Sequence, residues 1–278
     1  MQNTRTFFIT GVGSGLGRAI ANAALRAGHR VVGTVRTEQA ATEFGRQFRG
    51  EAHVKLLDVT QFDSVAPLAV VVEAEIGPVD VVINNAGYGH EGILEESSLD
   101  EMRRQFDVNV FGAVAVIKAF LPFMRQRRRG HIINITSMGG YITMPGISYY
   151  CGSKFALEGI SETLAKEVKG LGIAVTAVAP GSFRTDWAGR SMVRSARSIS
   201  DYDSLFDPIR QSRMDKSGKQ LGDPDRAADA ILTLVNMPEL PEHLLIGSDA
   251  LGLVSAKLDA MQTSLTKHEV LTRSTDIA

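Results

Sequence analysis

The sequence predicts an α/β protein built on a doubly wound, seven-stranded, mostly parallel sheet with helices on both faces. Two observations carry that expectation. Seven short runs rich in β-branched residues alternate with longer helical stretches, the pattern of repeated β-α-β units. Most of these runs are continuously apolar and do not alternate with polar residues, so both faces of each strand are expected to be covered. Right-handed crossovers follow by default.

The first run, RTFFIT at 5–10, leads through glycines at 11, 13, 15 and 17 into a helix over 15–28. The second, RVVGTV at 30–35, ends at Arg36. The third, HVKLLD at 53–58, precedes a helix over 61–76, and the fourth, VDVVIN at 79–84, a helix over 101–128. The fifth, HIINIT at 131–136, is followed by a helix over 148–170. The sixth, AVTAVA at 174–179, opens into residues 182–222, rich in Ser, Arg and Asp. No strand is expected there. The segment reads as a lid with few apolar contacts, more mobile than the sheet. A helix over 224–236 and a seventh run, HLLIG at 243–247, precede a helical tail, 249–278. The tail carries Leu251, Leu253, Leu258 and Met261 on or near one side. A single domain spanning 1–278 is expected.

The chain has 278 residues and a formal net charge of −1, so no charge excess points to nucleic acid or an anionic membrane. The run RQRRRG, 125–130, reads as a helix end, its cations offsetting the dipole and Gly130 supplying the cap. The one cysteine, Cys151, excludes an intramolecular disulfide and fits a reducing compartment; a cytoplasmic location is expected. No signal-peptide pattern opens the chain. The most apolar helical segment, 110–124, contains Lys118 and Pro122 and is expected to be too short to span a bilayer. No metal site is expected.

The pattern Thr10-Gly11-x-x-x-Gly15-x-Gly17 lies between the first strand and first helix. Glycines there let the backbone approach a pyrophosphate, whose charge the helix N-terminus stabilises. The spacing differs from G-x-G-x-x-G, and no Lys-Ser/Thr follows to make a P-loop. Arg36 stands where an acidic residue would take the ribose 2′-hydroxyl of NAD. Its guanidinium suits a 2′-phosphate, so NADP(H) is expected over NAD(H). Asp58 ends the third strand and could accept from the adenine amino group or cap the next helix. Asn84, Asn85, Ala86 and Gly87 form a polar, small-residue corner at the strand end where an open α/β sheet binds its ligand. Ser137 ends the fifth strand with a hydroxyl able to donate to an oxyanion. Tyr150 and Lys154 stand at i and i+4 on one helix face, and Tyr149 points about 100° away.

Together these motifs, with Asn109 in FDVNVFG and PGSFRT at 180–185, resemble the short-chain dehydrogenase/reductase family in its single-domain branch. The likeness runs from Thr10 to about Gly247. It implies a Rossmann fold and an NADPH-dependent carbonyl reductase or alcohol dehydrogenase. Hydride would pass between nicotinamide and an apolar ketone or secondary alcohol; the alternative is a non-catalytic NADP(H)-binding sensor. Tyr150 would be the proton donor or acceptor, with Lys154⁺ and the oxidised nicotinamide lowering its phenol pKa from about 10. Lys154 would hold the nicotinamide ribose, Ser137 the carbonyl oxygen, and Asn109 a water linking Lys154 to solvent. Tyr149 should only pack. Cofactor binding would fall to Gly11, Ser14, Gly15, Leu16, Gly17, Arg36, Asp58, Val59, Asn85, Ala86, Gly87, Tyr150, Lys154, Pro180, Gly181, Phe183 and Thr185. Phe183, Trp187, Met192 and Phe206 from the lid, with Tyr141 and Met144, suggest a largely apolar substrate pocket. The resemblance also implies a homodimer or homotetramer.

Overall fold

The computed structural model describes residues 4–47, 52–189 and 191–277. Position 190 of the expected lid, position 278 of the tail, and positions 1–3 and 48–51 lie outside them. The nine described strands are β1 (Thr6–Thr10), β2 (Arg30–Val35), β3 (Ala52–Leu56), β4 (Val81–Asn84), β5 (Gly89–Glu91), β6 (Gly130–Ile135), β7 (Ile173–Pro180), β8 (Met192–Arg194) and β9 (His243–Ile246). Seven form one sheet in the order β3-β2-β1-β4-β6-β7-β9, every pair parallel. These are the seven apolar runs, with ends shifted by a few residues.

The strand period of two divides the core into two layers. In β1, Phe7 and Ile9 meet Ile20 and Ala24 of α1 (Gly15–Arg26) and Ile231 and Leu234 of α8 (Pro224–Val235). Phe8, between them, points the other way. It joins Val72 of α3 (Phe62–Glu75), Phe120 of α5 (Ala113–Arg127) and Leu164 of α6 (Ser148–Val168), with its ring 4.5 Å from that of Phe120. The order reverses between β1 and β4. The loops after these two strands therefore part, leaving a crevice at the strand C-termini.

Three expectations are corrected. The helix expected over 101–128 is α4 (Leu99–Phe106), a π-helical turn over Asp107–Gly112, and α5. Together they make 29 helical residues, Leu99–Arg127, long and apolar enough by length and composition to cross a membrane. Here Val116, Ile117, Phe120 and Met124 of that stretch are buried in the core. The helix ends at Arg128, in the left-handed conformation at φ 55°, and not at Gly130, which opens β6. The basic run is consumed by the fold. Arg127 forks onto Glu73 at 2.6 and 3.2 Å, Arg128 reaches the Gly170 carbonyl at 2.7 Å, and Arg129 pairs with Asp80 at 2.7 Å.

The third correction concerns 182–222. A strand is present: β8 pairs in parallel with β5, Gly89 to Met192 and Glu91 to Arg194. The segment also folds α7 (Asp203–Asp215), whose Phe206 is fully buried. The remaining helices are α2 (Glu38–Gln47), which follows Arg36, and α9 (Ser248–Lys267) and α10 (Glu269–Arg273) in the tail.

Candidate active site

A continuous cleft of about 2120 Å³ runs along the C-terminal edge of the sheet, between the glycine turn and the lid. Of the residues expected to be catalytic or to bind the cofactor, all but Gly17 and Asn109 line it. Those two stand behind the wall and shape it. A Cβ on Gly17 would collide with the Asn85 amide and the Gly11 carbonyl, so a side chain there would displace the corner of β4. That corner is sewn to the glycine turn. The Thr10 hydroxyl accepts from the backbone N–H of Asn85 and Ala86, at 3.0 and 2.9 Å, and the Asn85 amide donates to the carbonyls of Thr10 and Gly11, at 2.9 and 3.1 Å. Gly11 and Gly15 take positive φ, which glycine adopts without strain. The cradle that results exposes backbone and little else. It has the shape and chemistry to take a dinucleotide pyrophosphate at the N-terminus of α1.

Asn84, the first asparagine of the corner, points into the protein and bonds Asn134, which in turn bonds Ser161. Asp58 does not cap α3. Its carboxylate accepts from the backbone and hydroxyl of Thr60, at 2.9 and 2.7 Å, and remains exposed at the cleft. Arg36 is exposed on the rim, whereas Val35 beside it is buried.

The two tyrosines separate as their spacing demands. Tyr149 stacks on His90, ring centroids 5.0 Å apart, and its hydroxyl donates to the Ser97 carbonyl at 2.8 Å. Tyr150 faces the cleft, with Ser137 close by its phenol. Lys154 lies one turn on, with Nζ 5.8 Å from the Tyr150 ring centroid and donating to the Ile135 carbonyl at 2.8 Å. Burial raises the Tyr150 phenol well above its ordinary range, although the neighbouring Ser137 hydroxyl opposes this. The expectation of a phenol lowered by Lys154 is therefore reversed in the protein alone. Burial also pulls Lys154 down to about 8, against the nearby Glu158 carboxylate. Two groups desolvated together resist charging, and desolvation exceeds the pull of each neighbour.

Asn109 occupies the π turn, where its amide donates to the Tyr88 carbonyl at 3.2 Å and to the Ser153 hydroxyl at 3.1 Å. Its oxygen accepts from the Tyr88 N–H at 3.1 Å. The side chain thus braces the loop after β4 against α6.

The lid closes the other side. The Trp187 indole leans over Tyr150, centroids 5.0 Å apart, and with Met144, Ile147 and Cys151 makes an apolar patch around the phenol. Met192 and Phe206, expected in the pocket, are buried outside it, and the Tyr141 hydroxyl is engaged with Glu158 and His243. The outer lid wall instead carries Ser212, Arg213, Lys216 and Lys219. Sequence reasoning missed the residues that fasten this lid. The fully buried Glu91 carboxylate meets Arg213 at 3.0 Å, Arg210 at 3.3 Å and Arg194 at 3.8 Å. Arg197 gathers Glu96, Asp203 and Asp207. It also missed Asp249, which accepts from the Ser182 N–H at 2.8 Å at the cleft wall. No local motif marks any of them; apart from the Arg197 pairs with Asp203 and Asp207, their partners are distant in sequence.

A parallel sheet with a glycine cradle at its switch point and a Tyr–Ser–Lys set beside it defines a nicotinamide-dependent oxidoreductase. The comparisons agree. Residues 5–194 match the family model for short chain dehydrogenases, and the chain belongs to that family. It is 37% identical over 270 residues to "Oxidoreductase BOA17" of Botryotinia fuckeliana, covering 96% of this chain and 98% of that one. A short-chain dehydrogenase from Streptomyces avermitilis, of solved structure, superposes over 100% of both chains with a TM-score of 0.91 and 36% identity. A metagenomic short-chain oxidoreductase solved in complex with NADP is 28% identical, with a TM-score of 0.69 over 87% of this chain and 96% of that one.

Proposed function

We propose that this protein is an NADPH-dependent carbonyl reductase, and in reverse an alcohol dehydrogenase, for ketones that are apolar around the carbonyl. One observation carries the reading: the Tyr150 phenol, with Ser137 beside it and Lys154 one helical turn on, faces a cleft that continues into the glycine cradle. Gly11, Ser14, Gly15 and Leu16 would receive the pyrophosphate over the turn that Gly17 keeps tight, and Asp58 and Val59 the adenine end. Asn85, Ala86, Gly87, Pro180, Gly181, Phe183 and Thr185 would border the nicotinamide half. Arg36 on the rim favours the 2′-phosphate of NADP(H) over NAD(H). When bound, the nicotinamide supplies or accepts the hydride.

The chain's own residues handle the proton. Ser137 donates to the substrate oxygen and holds it beside Tyr150. Tyr150 gives up its proton as that oxygen gains charge, a step that general acid catalysis requires at hydrogen-bond distance. A phenol raised by burial stays protonated, as the reductive direction needs. Lys154, charged below about pH 8, offsets the charge of the resulting phenolate. Asn109 keeps the π turn and α6 in register, so that Tyr150 and Lys154 keep their spacing. Trp187 and Met144 exclude water around the phenol, which suits an apolar ketone. We read the chain as one domain with a lid over 182–222, acting as a homodimer or homotetramer in the cytoplasm. The single cysteine supports that location.

The test pairs Tyr150→Phe with Tyr149→Phe in NADPH oxidation assays across a panel of ketones. The first should lose nearly all activity and the second keep most of it. Equal losses would remove the proton donor from Tyr150.

A further inference from the structure

One face of α7 looks into the cleft. Pro208, Ile209, Ser212, Arg213 and, at the C-cap, Lys216 line it, at steps of one, three, one and three, the spacing of neighbours on one helical side. Lys219 follows on the turn after the helix and lines the cleft too. Other residues of α7 are spent on the fold. Asp203 and Asp207 hold Arg197, and Arg210 reaches Glu91. A Cβ on Gly146 would run into the fully buried Phe206 ring, and Arg213 donates to the Pro145 carbonyl at 3.2 Å. Pro145 and Gly146 lie between Met144 and Ile147, two members of the apolar patch around the Tyr150 phenol. The lining face of α7 is therefore fixed on the phenol's side of the cleft. The turn beyond it is tied down as well: the Gln220 carbonyl accepts from Arg184 Nε at 2.6 Å, and the Gly222 N–H donates to the Ser182 carbonyl at 3.0 Å.

The charges on this wall do not balance. From 182–222 the cleft meets three cations, Arg213, Lys216 and Lys219, and one acid among the described residues, Asp186. Arg213 already shares the Glu91 carboxylate with Arg210, two guanidiniums on one anion. Lys216 and Lys219 are exposed, and neither ammonium has an ion-pair or hydrogen-bond partner among the described residues. Elsewhere around the cleft, the Glu101 and Asp249 carboxylates are taken up by N–H and hydroxyl donors, and Asp107 shares its wall with Arg104. Cations lining a cleft raise the local concentration of anions.

We propose that Lys216 and Lys219, with the Ser212 hydroxyl, form a subsite for a carboxylate of the substrate, remote from its carbonyl. The substrate class is then a keto acid. It is apolar around the carbonyl, where Met144, Ile147 and Trp187 surround the phenol, and acidic at its far end. The proposal rests on the reductase reading of the same cleft and narrows its substrate. A carboxylate fits this place better than a phosphate, because Lys216 stands at the C-terminal end of α7, whose partial negative charge opposes a dianion more than a monoanion.

The test compares methyl-ketone acids, from levulinate to 9-oxodecanoate, with their methyl esters, which keep the chain and remove the charge. At one chain length or more, wild-type kcat/KM should favour the acid by about fivefold, the upper range of an exposed ion pair, and added salt should shrink the advantage. Lys216→Gln with Lys219→Gln should remove it through KM, whereas Lys216→Arg with Lys219→Arg should keep it. NADPH affinity should be the same in all three proteins. Esters reduced as well as the acids at every length would overturn the subsite and leave the reductase reading standing. An acid preference that survives the glutamine substitutions would overturn it too, and weaker NADPH binding in that variant would then move the lysines to the cofactor. Trp187, the chain's one tryptophan, leans over the phenol, so its fluorescence reads binding without turnover. If neither acid nor ester is reduced, the reductase reading fails. Acid binding tighter than ester in the Trp187 titration, and equalised by the glutamine substitutions, would then support the subsite by itself; equal binding in the wild type would overturn it.

Discussion

The two sides of the cleft are held by opposite means. On the dinucleotide side, Thr10, Asn85 and the glycines meet through neutral hydrogen bonds near 3 Å, and small size is the requirement. On the lid side, a carboxylate with no exposure sits under three guanidiniums, and Arg197 collects three more acids. The first side shapes a surface by what it omits. The second fastens the 182–222 segment with charge, and a buried charge is costly as soon as its partner is removed. The contrast predicts that the stability of this segment is separable from that of the cradle.

The largest expected effect breaks that fastening. Glu91→Ala leaves Arg194, Arg210 and Arg213 without their carboxylate, and removing one partner of a buried pair costs on the order of 3–5 kcal/mol. A fall in Tm of about 10 °C follows for a chain of this size. Amide hydrogen exchange should rise first across 192–215, with the strands of the sheet still protected. Exchange rising uniformly would show that lid and sheet are one cooperative unit.

A middle-sized effect probes the dinucleotide side. If Arg36 binds the 2′-phosphate as proposed, Arg36→Ser removes a charged hydrogen bond worth roughly 1.5–3 kcal/mol, and NADPH affinity should drop by about tenfold to a hundredfold. NADH affinity should stay as it was, and so should hydrogen exchange of the lid. Fluorescence titration with both cofactors measures this; equal losses for NADPH and NADH would reduce Arg36 to a general attraction. The neighbouring position is unsuited to an acidic swap. Val35 is buried, and an aspartate there would desolvate its own charge.

The smallest effect lies between the two sides. Lys154 is pulled down to about 8 by burial, with Glu158 opposing. Its positive charge is present below that pH and is lost as pH rises through it, so kcat/KM for ketone reduction should fall on the alkaline side. Glu158→Gln removes the opposing anion and should move this limb to lower pH, with less than a tenfold change in rate near neutrality. Because the folded pKa lies below the ordinary 10.5, burying the ammonium costs stability below about pH 8. That cost is relieved as pH rises from about 8 toward 10.5. An alkaline limb unchanged in Glu158→Gln would separate Lys154 from the pH profile.

Much of the dinucleotide side was legible because its parts are local. A strand, a glycine turn and a helix follow within about fifteen residues, and each later motif sits at the end of its own strand. The i, i+4 spacing put Tyr150 with Lys154 on one face and Tyr149 on another, and the family resemblance gave Tyr150 the proton. Other features were not legible. Asn109 reads as part of a continuous helix until the π turn is seen, since a one-residue change in hydrogen-bond step leaves no mark on apolar periodicity. The Gly130 cap failed because tertiary ties on Arg127, Arg128 and Arg129 hold the chain in the left-handed position two residues early.

By itself, then, the sequence determined the seven parallel strands, the glycine cradle, the paired Tyr150 and Lys154 and the family. These follow from periodicity and short spacings that the backbone must obey wherever they occur. Only the tertiary structure decided that 182–222 is a fastened layer with its own strand. It likewise decided that Tyr150 and Lys154 both resist charging in the protein alone, and that Lys216 and Lys219 line the cleft. The reason is common to all three. Desolvation, ion pairing across about a hundred residues and exposure depend on what surrounds a side chain, and the order of residues alone does not state its surroundings.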